Sequence, residues 1–426
     1  MKKLALTLLG VFAVTTLAAC GGGNGGESEG FSPSLPTDTK CKIVIDGDYE
    51  NFPALKSRFV EFKEYYPNVL LEYSQVTGEY KEMIATVLEG NEAPNIFFAS
   101  TWMLDNEKYA SVVKHMENLA DPALKIDLSC IRPGLINSEN TLMVPLFGRS
   151  YGMLVNNSLF EKEEINVPEN WDGLLSACAS FLEKGYKNPM MGYSKEASNS
   201  LMNTVAFPSV VAALANNKEA LDLANNLDPS AGEYMREALN AVDTLAKNKY
   251  FNLEECNTLE KNYDPVLMRF LEGDVPMMIC ADDTPSGTRT RETRSQAFID
   301  HPFTYTYAPI PLTKDGGYFI DNPSKLVAVN KDCENLDMTN EFMRFLISTE
   351  KLNALAIEKN LVSSTKTISF DSIYSPFGKV PASRTFSPEG IGIKDGVKKQ
   401  VRNAAYKVGI GEMSVDQAVA NYGNFK

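Results

Sequence analysis

From residue 41 onward the apolar positions follow two alternating periods. Residues 42–45 (K-I-V-I) form a short strand-like run, and Leu55, Phe59, Phe62 and Tyr66 then recur at helical spacing on one face. Pro67 and Asn68 stop that helix before a second strand at 69–73. Tyr80, Met83, Ile84, Val87 and Leu88 mark another helical face, with Gly90 expected as its left-handed C-cap, and residues 95–99 read as a third strand. This βαβαβ succession predicts an open, mostly parallel sheet whose ligands lie beyond the strand C-termini.

The pattern continues through strands at 142–147 and 151–155. A helix carrying Leu174, Leu175, Cys178, Phe181 and Leu182 follows, expected to be capped by Asp172 and stopped at Gly185. Residues 199–272 read as mostly helical. Strands are predicted at 275–280, 303–308 and 325–329, and helices after Asp337, at 349–359, at 394–408 and at 415–422. Ser414 and Gln417 have the spacing of a capping box for the last of these.

The N-terminal region has another character. Lys2 and Lys3 precede an apolar run over 4–19, which is shorter than a bilayer-spanning helix requires, and Leu17-Ala18-Ala19-Cys20 looks like a lipobox. Residues 1–19 are therefore read as a signal peptide and Cys20 as the lipidated N-terminus that it leaves. The glycine-rich stretch behind Cys20, extended by Pro33 and Pro36, is expected to act as a flexible linker over 20–40. The remaining chain is long enough for two domains. The full sequence has 55 acidic residues against 41 basic ones, a net charge of −14, which repels phosphate backbones and argues against a nucleic-acid partner. Six further cysteines, at 41, 130, 178, 256, 280 and 333, show no metal-ligand or redox spacing, so no metal or cofactor is expected and their pairing stays open.

Several stretches, taken together and in order, resemble the extracellular solute-binding proteins of family one, which include the sugar-binding components of ABC importers such as maltose-binding protein. Residues 59–69 (F-V-E-F-K-E-Y-Y-P-N-V) are similar to the family's opening helix and strand, and 88–96 (L-E-G-N-E-A-P-N-I) to its "G-x-x-P-D-v" turn, with Asn95 in place of aspartate. Residues 152–160 (G-M-L-V-N-N-S-L-F), preceded by Pro145, resemble its crossing strand, although Leu154 and Val155 replace tyrosines and Asn157 a lysine. Residues 168–172 (P-E-N-W-D) and 270–278 (F-L-E-G-D-V-P-M-M) look like a helix start and a strand of the family, and 309–311, 326–330 and 341–346 like its later elements.

The resemblance implies an α/β, two-lobed periplasmic-binding-protein-like fold with a hinge and an interlobe ligand cleft. Crossings are expected near 145–150, 304–309 and 360–366. One lobe would comprise 41–146 plus 308–361 and the other 147–307 plus 362–426. Bound solute would stabilise the shut form by touching both lobes. The expected protein is a monomer that passes a sugar to the membrane subunits of an ABC transporter.

Sugars present hydroxyls that want directional partners and C–H faces that want flat rings, so candidates are sought among carboxylates, amides and aromatics at strand ends. Asp46, Asp48 and Tyr49 follow the first strand and Trp102 the third. Tyr151 sits beside the first crossing, and Tyr193 and Asn199 lie in a turn where the family places ligand contacts. Asp282 and Asp283 stand where the family commonly presents an aromatic, and Phe319 and Asn322 belong to a loop of comparable promise. Trp171, in the helix-start motif, reads as structural.

Catalytic signatures are scarce. Only His115 and His301 could serve a triad, and there is no P-loop or H-E-x-x-H. The G-x-S-x-G matches at 26–30 and 148–152 fall in the glycine-rich stretch and between two expected strands, so neither forms a strand-to-helix nucleophile elbow, and the S-x-x-K at 363–366 lacks its companion motifs. The expectation is a binding protein and not an enzyme. The acid pair at 282–283 keeps open a cationic solute such as a polyamine. A lipid-anchored sensor and an extracytoplasmic glycoside hydrolase are the remaining alternatives.

Overall fold

The computed structural model describes residues 30–49, 52–76, 79–104, 106–136, 140–260, 263–281 and 284–425. Residues 1–19, expected as a signal peptide, and Cys20 lie outside the described residues, as do Asp282 and Asp283. The chain divides into two compact units, Met1–Ser32 and Pro33–Lys426. The second unit carries all the architecture that follows.

Strands β1 (Cys41–Gly47), β2 (Val69–Gln75), β3 (Ile96–Ala99), β4 (Val144–Arg149), β10 (Asn322–Val329) and β11 (Val362–Ser363) form a six-stranded sheet in the order β11-β4-β10-β3-β1-β2. Strands β5 (Gly152–Asn156), β6 (Met190–Met191), β7 (Met277–Cys280) and β8 (Tyr305–Ala308) form a second sheet in the order β6-β7-β5-β8. A short parallel pair joins β9 (Phe319–Ile320) to β12 (Thr385–Phe386). The βαβαβ opening gives the expected parallel ladders, β1 with β2 and β1 with β3. The sheets are nevertheless mixed and not mostly parallel. β10 returns from the other half of the chain and runs antiparallel to both β3 and β4, and β5 is antiparallel to β7 and β8. A period-two or apolar run marks a strand but carries no sign of its direction.

Helices cover both sheets. Leu201–Ala215 is buried on almost every face and packs against Arg236–Lys247 and Asp395–Gly409 within a core that also takes Met153, Leu154, Phe207, Met278 and Tyr307. Phe59 and Phe62, on the helix Pro53–Phe62, meet Phe342 of the helix Leu336–Leu346 at 5.8 and 5.2 Å between ring centroids. That contact gives the opening amphipathic stripe its partner, at edge-to-face geometries worth about 1 kcal/mol each.

Three local expectations are corrected. The helix Trp171–Glu183 is capped by Asn170, whose side chain accepts from the Gly173 amide at 2.8 Å, and Asp172 lies inside the first turn. Gly90 does not take a left-handed conformation, because the helix Tyr80–Leu88 ends on a right-handed Glu89. Residues 33–40 do not continue a free linker. The Ser34 hydroxyl and amide bond both oxygens of buried Glu341 at 2.6 and 2.8 Å, and Leu35 donates its amide to Tyr66. Burial pushes the Glu341 carboxyl up, but bonds from Arg344, Ser34 and Tyr66 outweigh it and hold the group down at about 2. Short polar residues after a glycine tract look like linker until a buried acid is found waiting for them.

The chain passes between the sheets three times. It does so between β4 and β5, between β8 and β10, and around β11. The second passage falls later than the 304–309 expected, since Phe319 and Ile320 still pack in the core of the four-stranded sheet and only Asn322 enters the six-stranded one. All three passages meet at buried Arg132. Its guanidinium forms a two-pronged pair with Asp321 at 2.6 and 2.8 Å and donates to the carbonyls of Ser363 and Thr365 at 2.5 and 2.8 Å. Gly148 supplies the third side, because a Cβ there would stand 2.5 Å from the Arg132 guanidinium and 3.1 Å from Asp321.

None of the six described cysteines is joined in a disulfide. Cys130, Cys178, Cys256 and Cys280 are buried, and burial drives the Cys130 and Cys256 thiols up to about 12 and about 11, which makes them inert core residues.

Candidate functional site

Strand registers decide which candidates share an edge. Asp46 and Gly47 end β1, Ala99 ends β3, and β10 places Leu326 opposite Ala99 and Asn322 opposite Arg149 at the end of β4. The C-terminal edge of the six-stranded sheet therefore gathers Asp46, Asp48, Tyr49, Trp102 and Asn322. On the four-stranded sheet, Gly152 pairs with Cys280 and Met191 with Met278, so Tyr151, Tyr193 and Ala281 lie along one edge there. Tyr151 is linked to the first group through Arg149 and Ser150.

The first edge is built around Tyr49. The Tyr73 hydroxyl accepts from its amide at 3.0 Å and donates to its carbonyl at 2.9 Å, which fixes the loop after β1. Gly47 permits this clamp, because a Cβ there would sit 2.6 Å from the Tyr73 hydroxyl. The Tyr49 ring meets Phe52 edge-on at 5.1 Å, and the ammonium groups of Lys325 and Lys359 lie over it at 4.2 and 4.6 Å. Asp48 neutralises Lys325 through bonds of 3.0 and 3.1 Å. Lys325 holds a left-handed backbone with φ +49, a conformation that strains any side chain by about 1–2 kcal/mol and recurs at functional positions.

Asp46 is 7% exposed, and burial pushes its carboxyl up to about 6, opposed by a hydrogen bond from Ser74 and reinforced by Glu72. It supports the edge from below; its carbonyl accepts from the buried Tyr80 hydroxyl at 3.3 Å. Trp102 sits in a single turn, Thr101–Met103, half-buried, with its indole edge-on to buried Tyr109 at 4.8 Å. It thus keeps part of its ring in solvent on a braced base.

Across the passage, Tyr151 is half-buried and tilted against Phe207 at 5.3 Å. Its neighbour Ser150 is pinned by the Tyr307 hydroxyl, which donates to its carbonyl at 2.8 Å, and by the Ile320 amide on its hydroxyl at 3.2 Å. Asn199 is half-buried in the turn before the helix Leu201–Ala215, whereas Tyr193 is 8% exposed and largely core.

Two candidates do not face a cleft at all. Phe319 is 3% exposed and packs on Phe377 at 5.3 Å, and Asn322 is buried with its side chain donating to the Ile320 carbonyl at 3.2 Å. The loop had looked open because its glycines and acid surround them; pairing of β9 with β12 turns Phe319 inward. Lys325 and Lys359 were not found from the sequence. Lys325 lies inside β10 and Lys359 ends its helix, neither in a local motif, and only the return of β10 and the end of the helix Thr349–Lys359 bring them to Tyr49.

Two half-exposed walls at strand C-termini, joined by three passages, define a two-lobed α/β solute-binding fold with an interlobe cleft. The profile of the bacterial extracellular solute-binding protein family matches residues 46–351, and the chain belongs to that family. No curated protein matches it in sequence. Among solved structures, apo RafE from Streptococcus pneumoniae is similar at TM-score 0.68 and 15% identity, covering 92% of this chain and 98% of its own. The GacH receptor of Streptomyces glaucescens, solved unliganded and with acarbose, is similar at TM-score 0.65 and 18% identity, covering 91% and 97%. A sugar transporter protein from Bacillus licheniformis in complex with stachyose is similar at TM-score 0.59 and 14% identity, covering 91% and 100%. The family and these relatives are binding proteins. Among the described residues no helix is long and apolar enough to cross a membrane.

Proposed function

We propose that this chain captures a carbohydrate, a mono- or oligosaccharide, outside the cytoplasm and hands it unaltered to the membrane subunits of an ABC importer. A lipid on Cys20 would hold it at the membrane surface as a monomer, with residues 20–32 as the tether. The observation that carries the reading is the edge formed by Asp48, Tyr49 and Trp102, carboxylate and rings together, in a chain whose fold is shared with a RafE–raffinose complex and with the stachyose- and acarbose-bound proteins. Mixed polar and aromatic walls suit hydroxyls and sugar C–H faces. The rival cationic solute finds less support, because Lys325 and Lys359 already place two ammonium groups at this edge.

A thermal-shift panel of the purified protein tests the reading, with mono- and oligosaccharides, polyamines and amino acids as probes. A true solute at about 100 times its dissociation constant adds about 2.7 kcal/mol of stability. Saccharides are expected to raise the midpoint. A rise with polyamines alone would replace the carbohydrate assignment by the cationic one.

A further inference from the structure

Away from both sheet edges, a cavity of about 710 Å³ opens on the half of the molecule built around the four-stranded sheet, and none of the candidate residues lines it. Its floor is one face of the helix Arg236–Lys247, where Glu237, Asn240, Ala241 and Thr244 follow helical spacing and the small residues leave room. One wall is Trp171, placed at the first position of its helix by a bond from its amide to the Thr313 carbonyl at 2.9 Å. The β9–β12 ribbon also lines the cavity, with the half-buried rings of Tyr318 and Phe386 6.1 Å apart.

The polar groups are held as firmly as the rings. Arg384 donates to the Gly317 carbonyl at 3.0 Å and lies across Gly316, whose φ of +116 and close approach exclude a side chain: a Cβ there would stand 2.7 Å from the guanidinium. Two acids, Glu237 and Asp315, and two bases, Lys314 and Arg384, line the cavity, so its formal charge is balanced. The volume falls within the roughly 300–1,000 Å³ of small-molecule sites. Three partly open rings set among an amide, a carboxylate, a hydroxyl and a guanidinium fit a neutral polyhydroxylated ring better than an ion or a lipid tail.

We infer that this cavity is a second saccharide site, separate from the interlobe cleft, which takes one or two rings of a neutral oligosaccharide between Trp171 and the Tyr318–Phe386 ribbon. The inference rests on the cavity's own chemistry and does not require that the cleft bind sugar. Solvent access on one side points to weak, millimolar binding, suited to holding a long chain near the protein by effective concentration.

The chain's two tryptophans make the test direct, because Trp102 is at the cleft edge and Trp171 is in the cavity. In Trp102→Ala protein, Trp171 is the sole indole emitter and the proposed cleft platform is gone. Titration with raffinose, maltotriose and xylotriose up to about 20 mM, past the millimolar range, is expected to give a saturable blue shift of Trp171 with at least one of them. Tyr318→Ala and Asn240→Ala, added singly, are expected to weaken that response at least tenfold while leaving the melting midpoint of the protein within a few degrees. Absence of a saturable response with all three sugars overturns the proposal, and so does a response unchanged by both cavity substitutions. Cleft capture is judged separately in Trp171→Phe protein, where loss of every sugar-induced thermal shift would count against the cleft alone.

Discussion

At the scale of single residues, burial decides what each candidate can do. Asp46 has its carboxyl raised from 3.8 to about 6, so its protonated form is favoured in the folded protein. That contribution is complete below about pH 4 and is lost as pH rises through about 6. Asp46→Asn is therefore expected to change stability little near pH 4 and to raise it increasingly toward pH 7, by about 3 kcal/mol, as read by thermal unfolding across that range. A constant difference at all pH values would show that Asp46 is ionised throughout. Trp102 has a different balance, since its edge contact with Tyr109 is worth about 1 kcal/mol and the residue is only half-buried. Trp102→Ala is expected to abolish the thermal shift produced by sugar at sub-millimolar concentration, where the cavity beside Trp171 stays empty, while lowering the ligand-free midpoint only by that small amount. The position of Asp46, Asp48, Tyr49 and Trp102 at a sheet edge was legible because they lie at or just after apolar strand runs, whereas the burial of Phe319 was not, because a strand partner 66 residues further on, Thr385, turns it inward.

At the scale of elements, local sequence chose most boundaries correctly and lost where two residues competed for one role. The helix Thr349–Lys359 and the Ser414–Gln417 capping box match the sequence reading residue for residue. At the helix Trp171–Glu183, both Asn170 and Asp172 are good caps by type, and the extended backbone at Asn170, φ −146, is what selects it. Asn170→Ala is expected to destabilise the protein by about 1 kcal/mol in denaturant unfolding and Asp172→Ala by only a few tenths. The reverse order would return the cap to Asp172. The docking of Ser34 on Glu341 was beyond any local reading, because its partner is 307 residues away.

For the whole molecule, Arg132 ties the three passages together at the place where a hinge must bend. Replacing it with methionine leaves the Asp321 carboxylate buried without its partner, at 5% side-chain exposure, and is expected to cost about 3–5 kcal/mol in equilibrium unfolding. A loss below about 1 kcal/mol would show the passages to be held by their strands alone. Closure itself is measurable. A solute that raises the midpoint is expected to reduce the radius of gyration in solution scattering, and an identical curve with and without it would contradict a moving cleft.

What the sequence by itself determined was the alternation of strand and helix, the approximate extent of the longer strands and helices outside 199–272, the acidic surface and the likeness to a solute-binding family, because periodicity, caps and turn residues act over a few positions. Tertiary structure alone decided strand direction, the later second passage, the inward turn of Phe319, the convergence on Arg132, the two lysines over Tyr49 and the cavity beside Trp171. Each of these depends on segments tens to hundreds of residues apart meeting in space. Pairing and burial between such segments follow from the packing of the whole chain, and a local pattern of apolar and polar positions does not encode which distant surface will cover it.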